Sequence, residues 1–222
     1  MCGLLAVALA VLAPRPAFAA CDQTGSTVNC TGTTTNYNAG SQGGVTFTVQ
    51  PGATIQGVGG TSAFSLTNPT FSADRLINNG TIDGLVDIVS SVPGVDSFTN
   101  NGVLKITDPL TNLTSHSLFG TDFTQSSSGT FMARVDSAGF NDSLLVNSAT
   151  LAGRLIIVVQ PGLYTSANTY TIITSTNTIV GAFDSASVTS PFFTLSLSTC
   201  ACNLDATLTP ICKFWSLPIR SL

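Results

Sequence analysis

The sequence predicts an all-β chain wound as a parallel β-solenoid, and three observations carry that expectation. Residues that favour exposed helical faces are scarce: the 222 residues include no Glu and only two Lys, Lys105 and Lys213. Thr, Ser, Asn, Gly and Val recur from end to end instead, a palette that suits strands and turns. Third, turn-then-strand units repeat around Gly57, Gly80, Gly102, Gly129 and Gly153, which fall 23, 22, 27 and 24 residues apart. A unit of that size cannot bury an apolar face by itself, so successive units must stack. Hydrophobic residues make up 43% of the chain and charged ones 8%, too apolar a balance for a disordered tail.

Stacking places equivalent strands of successive coils side by side and turns their inward residues into one narrow core. The alternating pattern nominates Val45, Phe47, Val49, Ile55, Phe64, Leu66, Ile77, Ile82, Phe98, Leu104, Ile106, Phe131, Val135, Leu144 and Val146 for that core. With coils about 4.8 Å apart, roughly eight of them give a rod on the order of 40 Å long. The end coils of such a rod need caps against edge pairing. Short strands every 8–12 residues also fit an antiparallel β-sandwich, the competing architecture at this point.

Taken from the start, the apolar run Leu4 to Leu12 followed by Ala17-Phe18-Ala19-Ala20 reads as a secretory signal peptide over residues 1–20. The segment Met1-Cys2-Gly3 carries no Lys or Arg, which points to a start upstream of Met1. Beyond it no stretch approaches the length of a membrane-spanning helix. Export places the remaining cysteines where disulfides persist. Cys21 and Cys30 bracket a short polar loop, and joining them stabilises this end by roughly 2–3 kcal/mol in the chain-entropy model. Acylation of Cys21 is the alternative use of that residue. Cys200, Cys202 and Cys212 form a second group that reads as unpaired thiols, since a zinc site wants four ligands and the only histidine is His116. No metal or cofactor site is expected.

The formal charge is −4 and no cluster of Lys or Arg occurs, so nucleic acid is excluded as a partner.

From Gly129 the residues follow a more specific order: Gly129-Thr130-Phe131, Val135-Asp136, Gly139 to Asp142, Leu144 to Val146, Ala149 to Leu155, Pro161-Gly162, Tyr164, Tyr170 to Ile173, Gly181-Ala182-Phe183 and Pro191-Phe192. This order resembles the C-terminal passenger segment of bacterial autotransporters, the autochaperone or passenger-associated repeat region of type V secretion. The resemblance covers about 70 residues directly, and the Asn-Gly repeats before it look like the same family's passenger stem. It implies a right-handed parallel β-helix over 21–125, a C-terminal capping β region over 126–198 that folds first, and a surface or adhesin-type role. It also implies an outer-membrane β-barrel as partner, with a host protein or carbohydrate as ligand. Residues 199–222 form an atypical tail with no room for such a barrel, and Cys212 to Leu222 match neither linker nor strand, which reads as a truncation or frameshift. On that reading the chain itself stays in the periplasm, although the family's location is the outer membrane and cell surface.

Catalytic constellations were weighed against this non-enzymatic reading. Gly139-Phe140-Asn141-Asp142 matches one block of SGNH esterases, but no Gly-Asp-Ser nucleophile block or late Asp-x-x-His accompanies it, so a turn is the simpler reading. His116 lacks the context of a triad. Asp83 and Asp87 flank a coil turn and read as solvated turn residues, not a carboxylate pair. A secreted carbohydrate-active β-helix of the lyase kind is the alternative function. It requires basic and acidic residues clustered on one face, whereas Arg75, Lys105, Arg134 and Arg154 are scattered.

Overall fold

The computed structural model describes residues 20–41, 43–68, 72–107, 115–117 and 120–211; the proposed signal peptide, apart from Ala20, and the tail from Cys212 lie outside them. Among these residues there is no helix, and the strands stack into a β-solenoid of about five turns. An antiparallel hairpin, β1 (Ala20–Thr24) and β2 (Thr27–Thr31), opens the chain, and β3 (Thr33–Thr35) and β4 (Tyr37–Ser41) carry it round to a third side. The next turns repeat this three-sided course. They comprise β5 (Thr46–Val49), β6 (Thr54–Gln56) and β7 (Phe64–Asn68), then β8 (Arg75–Asn78), β9 (Thr81–Asp83) and β10 (Val86–Ser90). After them come β11 (Ser97–Asn100), β12 (Val103–Lys105) and β13 (Ser115–Ser117), then β14 (Asp122–Gln125), β15 (Thr130–Val135) and β16 (Ser143–Val146). A further round of β17 (Ser148–Leu151), β18 (Arg154–Val159) and β19 (Asn168–Ser175) leads to the short strands β20 (Ile179–Gly181) and β21 (Ser185–Val188). The hairpin β22 (Phe193–Thr199) and β23 (Asn203–Pro210) closes the described chain.

Three sides follow from this course. The first sheet runs β1-β2-β5-β8-β11-β14-β17-β20 and the second β3-β6-β9-β12-β15-β18-β21. The third side is split into β4-β7-β10 and β13-β16-β19-β23-β22. Among the described residues the antiparallel strand pairs are β1 with β2, β19 with β23, and β22 with β23, beside a single antiparallel bridge between Val135 and Asn141; the other strand pairs are parallel. The two ends are therefore hairpins, which is why the rod is shorter than eight coils. From β2 to β20 the first sheet has six inter-strand intervals, about 29 Å at the usual strand spacing.

The core is a set of side-chain columns. Phe47, Leu76, Phe98, Phe123 and Ala149 occupy one register position of the first sheet, and Ile55, Ile82, Leu104, Phe131 and Leu155 one of the second; all are buried. Phe98 and Phe123 lie 5.4 Å apart between ring centroids, and Phe47 meets Phe64 edge-on across the core at the same separation. Fully burying each such side chain contributes roughly 1.5–3 kcal/mol. Fourteen of the fifteen core residues expected from the pattern are buried, and Ile77 is the exception. In β8 the inward positions are Leu76 and Asn78, so Ile77 points outward beside Thr48 and Thr99.

The turns lock together at the corner between first and second sheets. Thr54, Thr81, Val103, Thr130, Arg154 and Ser185 donate their backbone N–H to the carbonyls of Gly32, Ala53, Gly80, Gly102, Gly129 and Gly153 in the preceding turn. Gly57, grouped with this series on sequence spacing, belongs to the next corner, where it stacks under Gly84; Ala53 holds its place. At this corner the backbones run so close that a Cβ on Gly102 overlaps the carbonyl oxygen of Gly80. Gly102→Ala is expected to cost about 3 kcal/mol, since backbone and not a movable side chain blocks the space. Gly52 has φ 81° and open space around it, so Gly52→Ala should cost only about 1 kcal/mol. Urea unfolding of the two variants measures the contrast; equal effects would remove close packing as the reason for the glycine column.

Candidate functional site: polar stacks and the open C-terminal end

The residues singled out by sequence spread over the whole rod. Cys21 and Cys30 face each other across β1 and β2 and are joined, with 3.9 Å between their Cα atoms. Asp83 is buried at a corner, where its carboxylate accepts from the Thr107 backbone N–H at 2.8 Å and the Thr107 hydroxyl at 2.6 Å, with Lys105 Nζ at 3.3 Å. Asp87 faces outward on β10, and burial of its carboxyl raises its pKa. His116 lies on β13 opposite Leu144. Of the cations of the lyase reading, Arg75 sits on the first sheet, whereas Lys105, Arg134 and Arg154 belong to strands of the second, where Lys105 is paired with Asp83 and the buried Arg134 with Asp142. Cys200 and Cys202 are exposed free thiols in the β22–β23 turn, and Cys212 lies outside the described residues.

Arg134 and Asp142 form the ion pair that sequence reading missed. Asp142 Oδ2 accepts from both the backbone N–H and Nε of Arg134 at 2.9 Å, and Oδ1 accepts from Nη2 at 3.0 Å. Both side chains are buried, so the motif at Gly139–Asp142 is a hairpin loop pinned by its last residue. The signal was an Arg and an Asp eight residues apart around a Gly turn, with Arg134 near the end of β15 and Asp142 directly before β16. Beside it Tyr170 donates to the Asp136 carbonyl at 2.6 Å. Tyr164 reaches the Gln160 and Val135 carbonyls at 3.1 and 3.2 Å, and burial raises its pKa to about 12.

Two polar columns run through the interior. Asn78 Nδ2 donates to Asn100 Oδ1 at 2.8 Å, and Asn100 Nδ2 to Gln125 Oε1 at 2.9 Å, each amide one turn beyond the last. On the opposite margin of the same sheet, Asp74 Oδ1 accepts from the Val45 N–H at 2.7 Å, and Asp96 Oδ1 accepts from the Asp74 N–H at 2.8 Å. Asn68 Nδ2 also donates to Asp96 Oδ1, at 2.7 Å. Asp74 Oδ2, Asp96 Oδ2 and the Thr121 hydroxyl are buried without hydrogen-bond partners among the described residues. Burial raises the pKa of Asp74; hydrogen bonds from Val45 and Gly44 oppose the shift, and the neighbouring Asp96 adds to it.

The C-terminal end is built differently. Among the described residues β22 is the last strand of its sheet and pairs on one side with β23. The Ile211 N–H bonds to the Phe192 carbonyl and the Cys200 N–H to the Asn203 carbonyl, which fixes the even-numbered residues of β22 as those whose backbone faces β23. The N–H and C=O groups of Phe193, Leu195, Leu197 and Thr199 therefore point to the free edge. Beside it lies a cleft of about 450 Å³ lined by Pro161, Leu163, Tyr164, Phe192, Phe193 and Ile211. Leu163 is 82% exposed and Phe192 71%, the two most exposed large apolar side chains described. The sequence had marked this stretch only as a capping region over 126–198, without the free edge or the cleft.

Asp142→Ala is expected to destabilise the chain by about 3–5 kcal/mol, because it strands the buried Arg134 guanidinium; denaturant unfolding measures it. Asp74 gives the opposite sign at neutral pH. Its folded pKa is raised, so its contribution to stability is fully present below the ordinary value of 3.8 and is lost as pH rises through the raised one. Asp74→Asn keeps the acceptor for Val45 and removes the charge. The variant should be more stable than the parent at pH 7 by about 1 kcal/mol, with the difference closing near pH 3; a gap independent of pH would contradict the assignment.

Comparison of the chain with family models and with curated proteins finds no match to either.

Proposed function

We propose that this chain is the non-enzymatic passenger or stem segment of a bacterial autotransporter, exported through its signal peptide and presented at the cell surface in an adhesin-type structural role. The observation that carries this reading is the use of the interior polar groups. The carboxylates of Asp74, Asp83, Asp96 and Asp142 and the amides of Asn78 and Asn100 are all engaged in bonds that join one backbone segment or turn to the next. A side chain that locks turns together is in no position to bind or convert a small molecule, whereas a rod that holds its shape needs such locks. Thr, Ser and Asn on the outward positions keep the rod hydrated with few charges.

Residues 126–198 act as its folding nucleus and C-terminal cap. Here the strands lengthen, from three to five residues in β2–β13 to six in β15 and β18 and eight in β19. The buried Arg134–Asp142 pair and Tyr170 add tertiary locks in the same stretch. Limited proteolysis of the full chain is expected to trim the N-terminal turns first and leave a core containing residues 126–198. Survival of residues 31–120 instead would rule out this assignment. Joined to an autotransporter β-barrel, the chain should label on intact Gram-negative cells; retention inside the outer membrane would count against a passenger role.

A further inference from the structure

We propose that the free edge of β22 is a self-association site, at which two copies of this chain pair antiparallel about a two-fold axis through Ser196. An edge strand presents unpaired backbone groups, and proteins ordinarily protect such edges with charge, Pro, bulges or a covering element. β22 has none of these devices within it: Phe193-Thr194-Leu195-Ser196-Leu197-Ser198-Thr199 carries no charge and no Pro, and its pairing with β23 is regular over all seven residues. The terminal strands of the other two sides, β20 and β21, have only three and four residues.

The occupant follows from register. The outward-facing backbone groups belong to odd-numbered residues. Antiparallel pairing centred on Ser196 sets Phe193 opposite Thr199 and Leu195 opposite Leu197 of the second copy, and the reverse. All four odd residues of each strand then meet odd residues as hydrogen-bonded pairs, two bonds to each of four pairs. The same register keeps the side chains on their own sides. Phe193, Leu195 and Leu197 are half-buried against the core, while Thr194, Ser196 and Ser198 are exposed; the pairing sets Leu195 against Leu197 and Thr194 against Ser198, with Phe193 over Thr199 at each end. Moving the centre to Leu195 or Leu197 still sets odd residues opposite odd but leaves three such pairs within β22 instead of four, and a half-residue shift sets the free backbone groups of one strand against even residues that point the other way.

Charge permits the approach. Between Ser185 and Ile211 the one charged residue is Asp205, whose carboxylate accepts from the Thr171 hydroxyl at 2.8 Å. The other charged residues lie on other parts of the chain, so the two ends meet with little like-charge repulsion. The pairing also brings Phe192, 71% exposed in the single chain, opposite Cys200 of the second copy. A two-fold contact of this kind closes on itself and gives a dimer, not a fibre.

The test uses the full chain, with Cys200, Cys202 and Cys212 changed to Ser for the cross-linking arm. Sedimentation equilibrium should show the mass doubling between roughly 1 and 100 µM. Ser196→Lys puts two like charges across the axis on an exposed position and should raise the dimer dissociation constant about tenfold or more, with the circular dichroism unchanged. At the axis the two Ser196 residues form a non-hydrogen-bonded pair, with Cα atoms about 4.5 Å apart, within disulfide reach. Ser196→Cys should therefore cross-link to a covalent dimer on mild oxidation, while Ser198→Cys, which faces Thr194, should not. A single-chain mass throughout that range, a dimer indifferent to Ser196→Lys, or equal cross-linking by the two cysteine variants overturns the proposal. None of these outcomes bears on whether the chain is a passenger, because each reads only the edge.

Discussion

The structure depends on one constraint: each turn must lay its backbone directly on the turn before, and at the corner between the first two sheets nothing larger than hydrogen or a methyl fits between them. Six successive N–H donors there find the carbonyl of the preceding turn, through Gly32, Ala53, Gly80, Gly102, Gly129 and Gly153. Once that contact is fixed, the sheets on either side have no choice of register, because a strand has a period of two and a slip would turn its core face outward. The columns of Phe, Leu and Ile follow as a consequence. Variation in length is pushed into the connections on the other two corners, where the chain swings clear of the axis.

The polar columns add specificity at some cost. Apolar side chains stack on one another almost regardless of partner, so a core of Leu and Phe alone tolerates a slip by a whole turn. An amide column does not. Asn100 is bonded to Asn78 on one side and Gln125 on the other, while Asn78 lies beside Val49 and accepts from the Gly80 N–H, so a slip that brings an apolar neighbour beside Asn100 leaves a buried amide unsatisfied. The unpaired Oδ2 atoms of Asp74 and Asp96 show the cost, for two carboxylates one turn apart in a dry corner oppose each other as they hold the backbone.

Sequence made the solenoid legible through its period and its inward alternation, which identified Phe47, Phe98, Leu104 and Phe131 as neighbours in a common core. It misplaced Ile77, because the run Leu76-Ile77 offers two apolar residues where only one can face inward and the phase is set by Phe47 in the preceding turn. It misplaced Gly57 for a related reason: spacing alone cannot tell two corners of one turn apart when a glycine marks both. Arg134 and Asp142 escaped notice because their partnership requires the loop between them to fold back, a tertiary fact with no periodic trace. The free edge of β22 was equally silent, since its alternation reads like that of any strand and only the sheet order shows that it pairs on one side among the described residues.

The offset between Asp74 and Asp96 is 22 residues, and Asn78 with Asn100 and Gly80 with Gly102 share it. One turn of this rod therefore begins and ends on the same three residue types at the same three corners and column positions. Such a turn repeats at its start three of the contacts that it meets at its end. Duplication of these 22 codons would give every new joint a carboxylate under a backbone N–H, an amide under an amide and a glycine under a carbonyl. Length in this molecule is thus a quantity that can change in whole turns without any other residue having to change with it.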